Sequence, residues 1–252
     1  MIRARLAEAQ LALMLLTRLP AGRLGGPIPG LGASAWAFPL AGLAVGAGAA
    51  GGFWVAASFL PLGLAALVAL AAQIALTGAL HEDGLADCAD GFWGGHTSDR
   101  RLEIMRDSRI GSYGVLALIL SVLLRWQALV ILAEQSFAAA LIALVTIAML
   151  SRIAPVLLLA FMPPARSDGL GHAAQAVAWP VLVASVLIAL GPGLLAAGSV
   201  FHLALIVGGQ LLVVMTLARL AQRWIGGQTG DVLGAGQQLA EIAGLLVFVA
   251  LI

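Results

Sequence analysis

The stretch FAAALIALVTIAMLSRIAPVLLLAFMPP, running from Phe137 to Pro164, contains a single charged residue, Arg152. A bilayer hydrocarbon core takes roughly 20 apolar residues per helix, so this segment predicts a membrane span with an arginine near its middle. The same pattern extends outward in both directions. Trp36–Leu80, Tyr113–Ala133 (interrupted only by Arg125), Ala173–Ala218 and Leu245–Ile252 are further long apolar runs. Apolar residues make up 62% of the chain and charged residues 10%, with a mean hydropathy of +1.05. A soluble domain has about 25% charged residues, so the class is a polytopic α-helical membrane protein, read as a single domain over residues 1–252.

Breakers divide the runs into about seven spans. Pro61-Leu62-Gly63 separates Trp36–Leu60 from Leu64–Leu80, and Glu134-Gln135-Ser136 separates Ser112–Leu132 from Phe137–Phe161. Gly191-Pro192-Gly193 is read as the turn between Val177–Leu190 and Val200–Ala218, and the last span as Gln237–Ile252. The amino-terminal run Leu11–Leu16 is short and bounded by Glu8 and Arg18, which predicts an interfacial helix rather than a cleaved signal. Gly42/Gly46 and Gly48/Gly52 make small-xxx-small steps that predict close helix packing.

The chain has no lysine, so arginine alone reports sidedness. With seven spans, Arg3, Arg5, Arg18, Arg23, Arg100, Arg101, Arg106, Arg109, Arg166, Arg219 and Arg223 all fall on one side and none on the other. The positive-inside rule places that side in the cytoplasm. Trp36, Trp179 and Trp224 lie near the same boundary. These features predict a multi-pass protein of a bacterial cytoplasmic (inner) membrane, its partner the lipid bilayer. The near-zero net charge argues against nucleic acid. A lone Cys88 excludes an internal disulfide. Of the two intramembrane arginines, Arg125 is read as able to snorkel outward and Arg152 as lining a polar cavity, where it is expected to bind substrate.

Chemistry concentrates in three polar segments on the arginine side. The first opens with His81-Glu82-Asp83-Gly84-Leu85-Ala86-Asp87-Cys88-Ala89-Asp90-Gly91, which holds a third of the 12 acidic residues. On a helix Asp83, Asp87 and Asp90 share one face, and like charges at that spacing repel unless a cation joins them. Hard oxygen ligands suit Mg²⁺, so Asp83, Asp87 and Asp90 are expected to be ligands, with Glu82 a weaker fourth. Gly94-Gly95 then breaks the chain, and Thr97, Ser98 or Asp99 is read as capping a helix that reaches Arg109. Arg106 and Arg109, with Asp107 between them, are expected to bind substrate, since guanidinium meets phosphate bidentately. The second segment, Phe161–Ala178, carries Arg166, Asp168 and His172 but says little by itself. The third, Gly226-Gly227-Gln228-Thr229-Gly230-Asp231, offers glycine amides to an anion, with Thr229 and Gly230 as substrate contacts and Asp231 as the base. His81 abuts the carboxylates as a proton shuttle. Glu241 is a further ligand, a base, or a helix-start carboxylate. These parts suit Mg²⁺-dependent phosphoryl transfer at a membrane surface. A cation transporter is the non-enzymatic alternative, disfavoured because the acids cluster in loops with arginines.

The acidic segment, followed by Met105-Arg106-Asp107-Ser108-Arg109-Ile110-Gly111-Ser112-Tyr113-Gly114, closely resembles the cobalamin synthase family. Leu16-Thr17-Arg18-Leu19-Pro20, Phe38-Pro39-Leu40, Ser151-Arg152 with Pro155, and Gly227 through Ala235 extend the resemblance along the whole chain. Cys88 stands where threonine is expected. The resemblance implies an adenosylcobinamide-GDP ribazoletransferase. Adenosylcobinamide-GDP and α-ribazole, or its 5′-phosphate, would give adenosylcobalamin, or its 5′-phosphate, and GMP, with Mg²⁺, the last step of nucleotide-loop assembly. The runner-up is a CDP-alcohol phosphotransferase-like enzyme, whose motif Asp87, Asp90 and Gly91 begin and Gly94-Gly95 fail to complete. A homo-oligomer is left open.

Overall fold

The computed structural model describes residues 2–169, 174 and 177–252. Within them every named element is helical. Six helical segments are long and apolar enough to cross a bilayer. They are residues 31–57 (the short α2, Leu31–Ser34, a 3₁₀ turn, and α3, Phe38–Ala57), α7 (Ser112–Gln135), and α8 with α9 (Phe137–Ser151 and Ile153–Phe161). The others are α10 (Trp179–Ala197), α11 (Val200–Ile225) and α12 (Gly230–Ala250). A seventh segment is α4 (Leu62–Thr77), which bends by 88° into α5 (Leu80–Gly94). The remaining helices are the amino-terminal α1 (Ile2–Leu16) and α6 (Ser98–Ile104).

Burial sorts the spans. In the most apolar window of α8–α9, 72% of residues are buried, and 61% in α12, against 28% in α7, α10 and α11. The first pair therefore forms the centre of the bundle, and the others turn one side outward. On α7 that side is Val115, Leu116, Ile119, Leu120, Leu123 and Leu124, an exposed apolar stripe with helical spacing. In water such a stripe would be a liability; against acyl chains it is the solvent-facing surface.

Both glycine pairs of α3 pack as expected, each against a different neighbour. A Cβ at Gly46 would lie 2.6 Å from the Leu144 carbonyl oxygen, and one at Gly42 would collide with that of Ala148, so α3 rests on the α8 backbone. Gly48 and Gly52 instead meet Leu76 and Ala72 of α4. α1 is too short to cross and packs through Ala12 and Leu16. Glu8 accepts a hydrogen bond from the Trp36 indole at 2.6 Å, fixing it to the 3₁₀ turn.

Several boundaries differ from the sequence reading. Pro192 lies inside α10, and the turn falls at Gly198, whose φ of +67° suits glycine. Strong apolar continuity over Trp179–Ala197 carried the helix through its proline. α11 extends to Ile225, so Arg219 and Arg223 ride its last turns, and the last span begins at Gly230 rather than Gln237. α6 starts at Thr97 as its cap but stops at Ile104, short of Arg109. There the Asp107 carboxylate accepts from the Arg109 amide at 3.1 Å, a local bond that competes with helix. Arg125 does not snorkel: it is 1% exposed and paired inside the bundle.

Candidate active site

The site begins at the elbow between α4 and α5. Gly78 and Ala79 both adopt left-handed backbone, with φ of +65° and +60°. Such conformations are strained for alanine, and two in succession turn the chain sharply. A side chain at Gly78 would also collide with Arg18. The right-angle turn takes α5 out of the direction of α4.

Gly84 then decides what α5 packs against. A Cβ there would lie 2.7 Å from the Asp231 carbonyl oxygen and 3.2 Å from the Gly234 Cα. Backbone therefore meets backbone where α5 crosses the start of α12. Asp83 and Asp87, one residue before and three after Gly84, are brought beside Asp231. Gly84→Val is accordingly expected to separate the two helix segments and to lower turnover by at least tenfold. Thermal melting in detergent should move much less than activity; a fully active Gly84→Val protein would refute the arrangement.

Asp87 sits at the middle of this acidic group and is half-buried. Burial first, then the charges of Asp231, Asp83 and Asp90, push its carboxyl up to about 7, with Arg166 opposing them. Asp231 is the first-turn acid of α12 and accepts from the Thr229 hydroxyl at 3.1 Å. The same hydroxyl caps the helix by accepting from the Val232 amide at 3.3 Å. Gly230 is exposed with open space where a side chain would stand. Asp90 has a different position. Its two oxygens accept from the amides of Gly111 at 2.7 Å and Gly114 at 2.9 Å, which ties α5 to the start of α7.

Arg166 is the cation of this group, and the sequence reading passed over it. Its guanidinium lies 3.6 Å from Asp231 and donates to the Leu102 carbonyl at 2.9 Å. Mutual backbone bonds between Pro163–Ala165 and Gln228, both 2.8 Å, hold its segment against the glycine-rich loop. Arg166 borders a cleft of about 500 Å³ with Arg106, Asp168 and Glu103 on its walls. Arg106 pairs with Asp168 there and lies within electrostatic reach of Asp231. Arg109 is 86% exposed and paired with Asp107, whose carboxyl its hydrogen bonds hold at about 2. Arg101 lies over the Trp224 ring, 5.1 Å from its centroid, and so ties α6 to the end of α11.

Glu82 faces the other way. It accepts from Arg125 at 3.2 Å and from Gln238 at 3.1 Å. Glu241 in turn accepts from Arg125 and Arg152, each at 3.4 Å, and from Gln237 at 2.6 Å. This buried quartet of Glu82, Arg125, Glu241 and Arg152 clamps α5, α7, α12 and the α8–α9 junction together beneath the aspartates. Arg152 and Glu82 therefore lie in the support of the cluster, apart from the cleft. The paired glutamines of α12 were legible only as polar residues in an apolar span. His81 is buried at 3% exposure. His172 lies outside the described residues.

The all-oxygen donors of Asp83 and Asp87 fit Mg²⁺. Among the described residues no three acidic, histidine or cysteine side chains close into a ready-made cage. Mg²⁺ does not require one, since it keeps several waters and is bound through one or two carboxylates plus substrate phosphates.

A family model described as cobalamin-5-phosphate synthase matches residues 8–249. The chain belongs to the cobalamin-5-phosphate synthase family. Curated relatives named adenosylcobinamide-GDP ribazoletransferase support this assignment along nearly the full length. The protein of Azorhizobium caulinodans is 49% identical, covering 96% of this chain and 94% of its own. That of Mesorhizobium japonicum is 46% identical, covering 96% and 92%. That of Bradyrhizobium diazoefficiens is 45% identical, covering 99% and 95%. No solved structure matches the chain. For this cobalamin-5-phosphate synthase family member, the acidic helix and the glycine-rich loop noted in sequence are the two segments that Gly84 brings together.

Proposed function

We propose that this chain joins adenosylcobinamide-GDP to α-ribazole or its 5′-phosphate, releasing GMP, at the cytoplasmic face of a bacterial inner membrane. The observation that carries this reading is the convergence of Asp83, Asp87 and Asp231 with Arg166, which itself borders an arginine-lined cleft. Family membership supplies the substrates, and the cleft supplies the means to hold a diphosphate.

A hydroxyl oxygen of the ribazole ribose forms a bond to the phosphorus attached to cobinamide. The bond from that phosphorus to the bridging oxygen breaks, and GMP leaves with the electron pair. Asp231 accepts the hydroxyl proton. Arg166 and Arg106 contact the diphosphate oxygens, Arg106 exchanging its pairing with Asp168. Asp83 and Asp87 would hold Mg²⁺, which when bound neutralises charge on the diphosphate and the leaving GMP. Asp90 holds the α7 start in place beside them.

The arginine bias supports a cytoplasmic site. Residues 99–106 and 165–168 line the cleft, and by the positive-inside rule their arginine-bearing side would face the cytoplasm, where nucleotides are available. The test is GMP release by purified protein from both substrates. Release should require Mg²⁺, stop with excess chelator and return when Mg²⁺ is restored. CMP release from a CDP-alcohol in its place would transfer the assignment to the CDP-alcohol phosphotransferases.

A further inference from the structure

α6 runs back along α5, and the direction of that return gives the arginine cleft two unlike ends. A Cβ at Gly91 would collide with Met105, and one at Gly95 would lie 2.9 Å from the Arg101 Cα. The end of α6 therefore lies nearer the aspartates of α5, and its start lies toward the carboxyl-terminal end of that helix. Arg106 is the near end of the cleft, within electrostatic reach of Asp231, and Asp99 is the far end.

Asp99, Leu102, Glu103 and Arg106 all line the cleft, with the i, i+3, i+4, i+7 spacing of one helical face. The chain stays wound past Ile104, where the Arg106 amide donates to the Glu103 carbonyl at 3.1 Å. From Asp99 to Arg106 the face is therefore about 10 Å long, at roughly 1.5 Å per residue. That is the reach of a purine nucleotide from the hydrogen-bonding edge of its base to its phosphates. The cleft, of about 500 Å³, has the volume of a site for a small organic ligand.

The acids on its walls are not alike. Glu103 is paired with Arg100 at 2.7 Å, and Asp168 with Arg106. Asp99 is exposed, and its carboxylate has no hydrogen bond or ion pair among the described residues. A free carboxylate repels a diphosphate, so its place in the cleft suits a different part of the ligand. Guanine is that part: its N1–H and its exocyclic N2–H point the same way and donate together to the two oxygens of one carboxylate. Leu102 gives the same wall an apolar surface for the ring.

We propose that Asp99 reads the guanine of the corrinoid substrate, with the diphosphate at the Arg106 end of the cleft. The guanosine then lies along α6, directed away from the aspartates, and Asp99 is a specificity-determining residue. The inference rests on the ribazole transfer proposed above. An acid in the first turn of α6 also suits the helix dipole, but a change of base preference would not follow from that role.

The experiment follows formation of the joined corrinoid from adenosylcobinamide-GDP and α-ribazole, with GMP, IMP or XMP added as inhibitor. IMP lacks the 2-amino group, and XMP carries a carbonyl in its place. The wild-type protein is expected to bind GMP at least about tenfold more tightly than either, the discrimination of one hydrogen bond to a charged group. Asp99→Asn should reverse the order in favour of XMP, because the amide accepts from N1–H and donates to the 2-carbonyl. The same variant should raise KM for adenosylcobinamide-GDP at least about tenfold and leave KM for α-ribazole where it was. Glu103→Gln, on the same wall, should keep the wild-type order.

Equal wild-type inhibition by GMP and IMP would overturn the proposal without any variant needing to fold. So would an Asp99→Asn protein that still prefers GMP, or a reversal produced by Glu103→Gln instead. Equal weakening of all three nucleotides by Asp99→Asn would assign the carboxylate to the support of α6 and overturn it too. A wild-type protein that forms no joined corrinoid overturns the transfer and the base site with it; one that turns over without distinguishing GMP from IMP overturns only the base site.

Discussion

Asp87→Asn is expected to lower GMP release on the order of a thousandfold or more while the protein stays folded in detergent. Asp87 is the residue on which Asp83, Asp90 and Asp231 all act, so its carboxylate is where a cation gains most. The amide is nearly isosteric and removes repulsion from the cluster, so the melting temperature should hold or rise. Loss of turnover with gain of stability separates a ligand from a structural acid, whose removal would lower both. Near-normal GMP release at saturating Mg²⁺ would sink the assignment.

Arg125→Met is expected to have the largest effect on stability. Arg125 is 1% exposed and meets both Glu82 and Glu241. Its removal leaves Glu82 with only an amide partner, and stranding a buried charge costs about 3–5 kcal/mol. Glu241 keeps Arg152. The double variant Arg125→Met/Glu82→Gln should therefore recover most of the loss, because the remaining pair is balanced. Thermal melting in one detergent reads all three proteins. A single variant as stable as the parent would show that the quartet does not clamp the bundle, and so would a double variant no better than the single.

What could be read from the chain follows from the range of the signal. Apolar length placed the spans. The acidic helix and the close packing at the α3 glycines were legible because 3.6-residue periodicity is local. Pro192 was misread for the opposite reason. Its Gly-Pro-Gly setting is a strong turn signal, but packing around Ala189 and Gly193 keeps the helix going. Arg166 carried no local signal, since its partner Asp231 lies 65 positions further along the chain. The pairing of Glu82 with Arg125 was hidden likewise: each residue invited a separate explanation until the fold joined them. Ala79 gave no warning of its left-handed backbone, because nothing in its side chain favours it.

The elbow at Gly78 and Ala79 makes bilayer thickness a variable of this protein. α4 has 16 residues, about 24 Å at 1.5 Å per residue, while a typical hydrocarbon core is about 30 Å. A short span fixed at a right angle to the helix bearing the acids cannot lengthen to match, so the membrane must thin around it or draw α5 toward the headgroups. Hydrophobic mismatch would then act directly on the depth at which the aspartates meet their substrates. Turnover in vesicles should fall as the lipid chains lengthen, and an activity indifferent to chain length would show that α5 keeps its depth by other means.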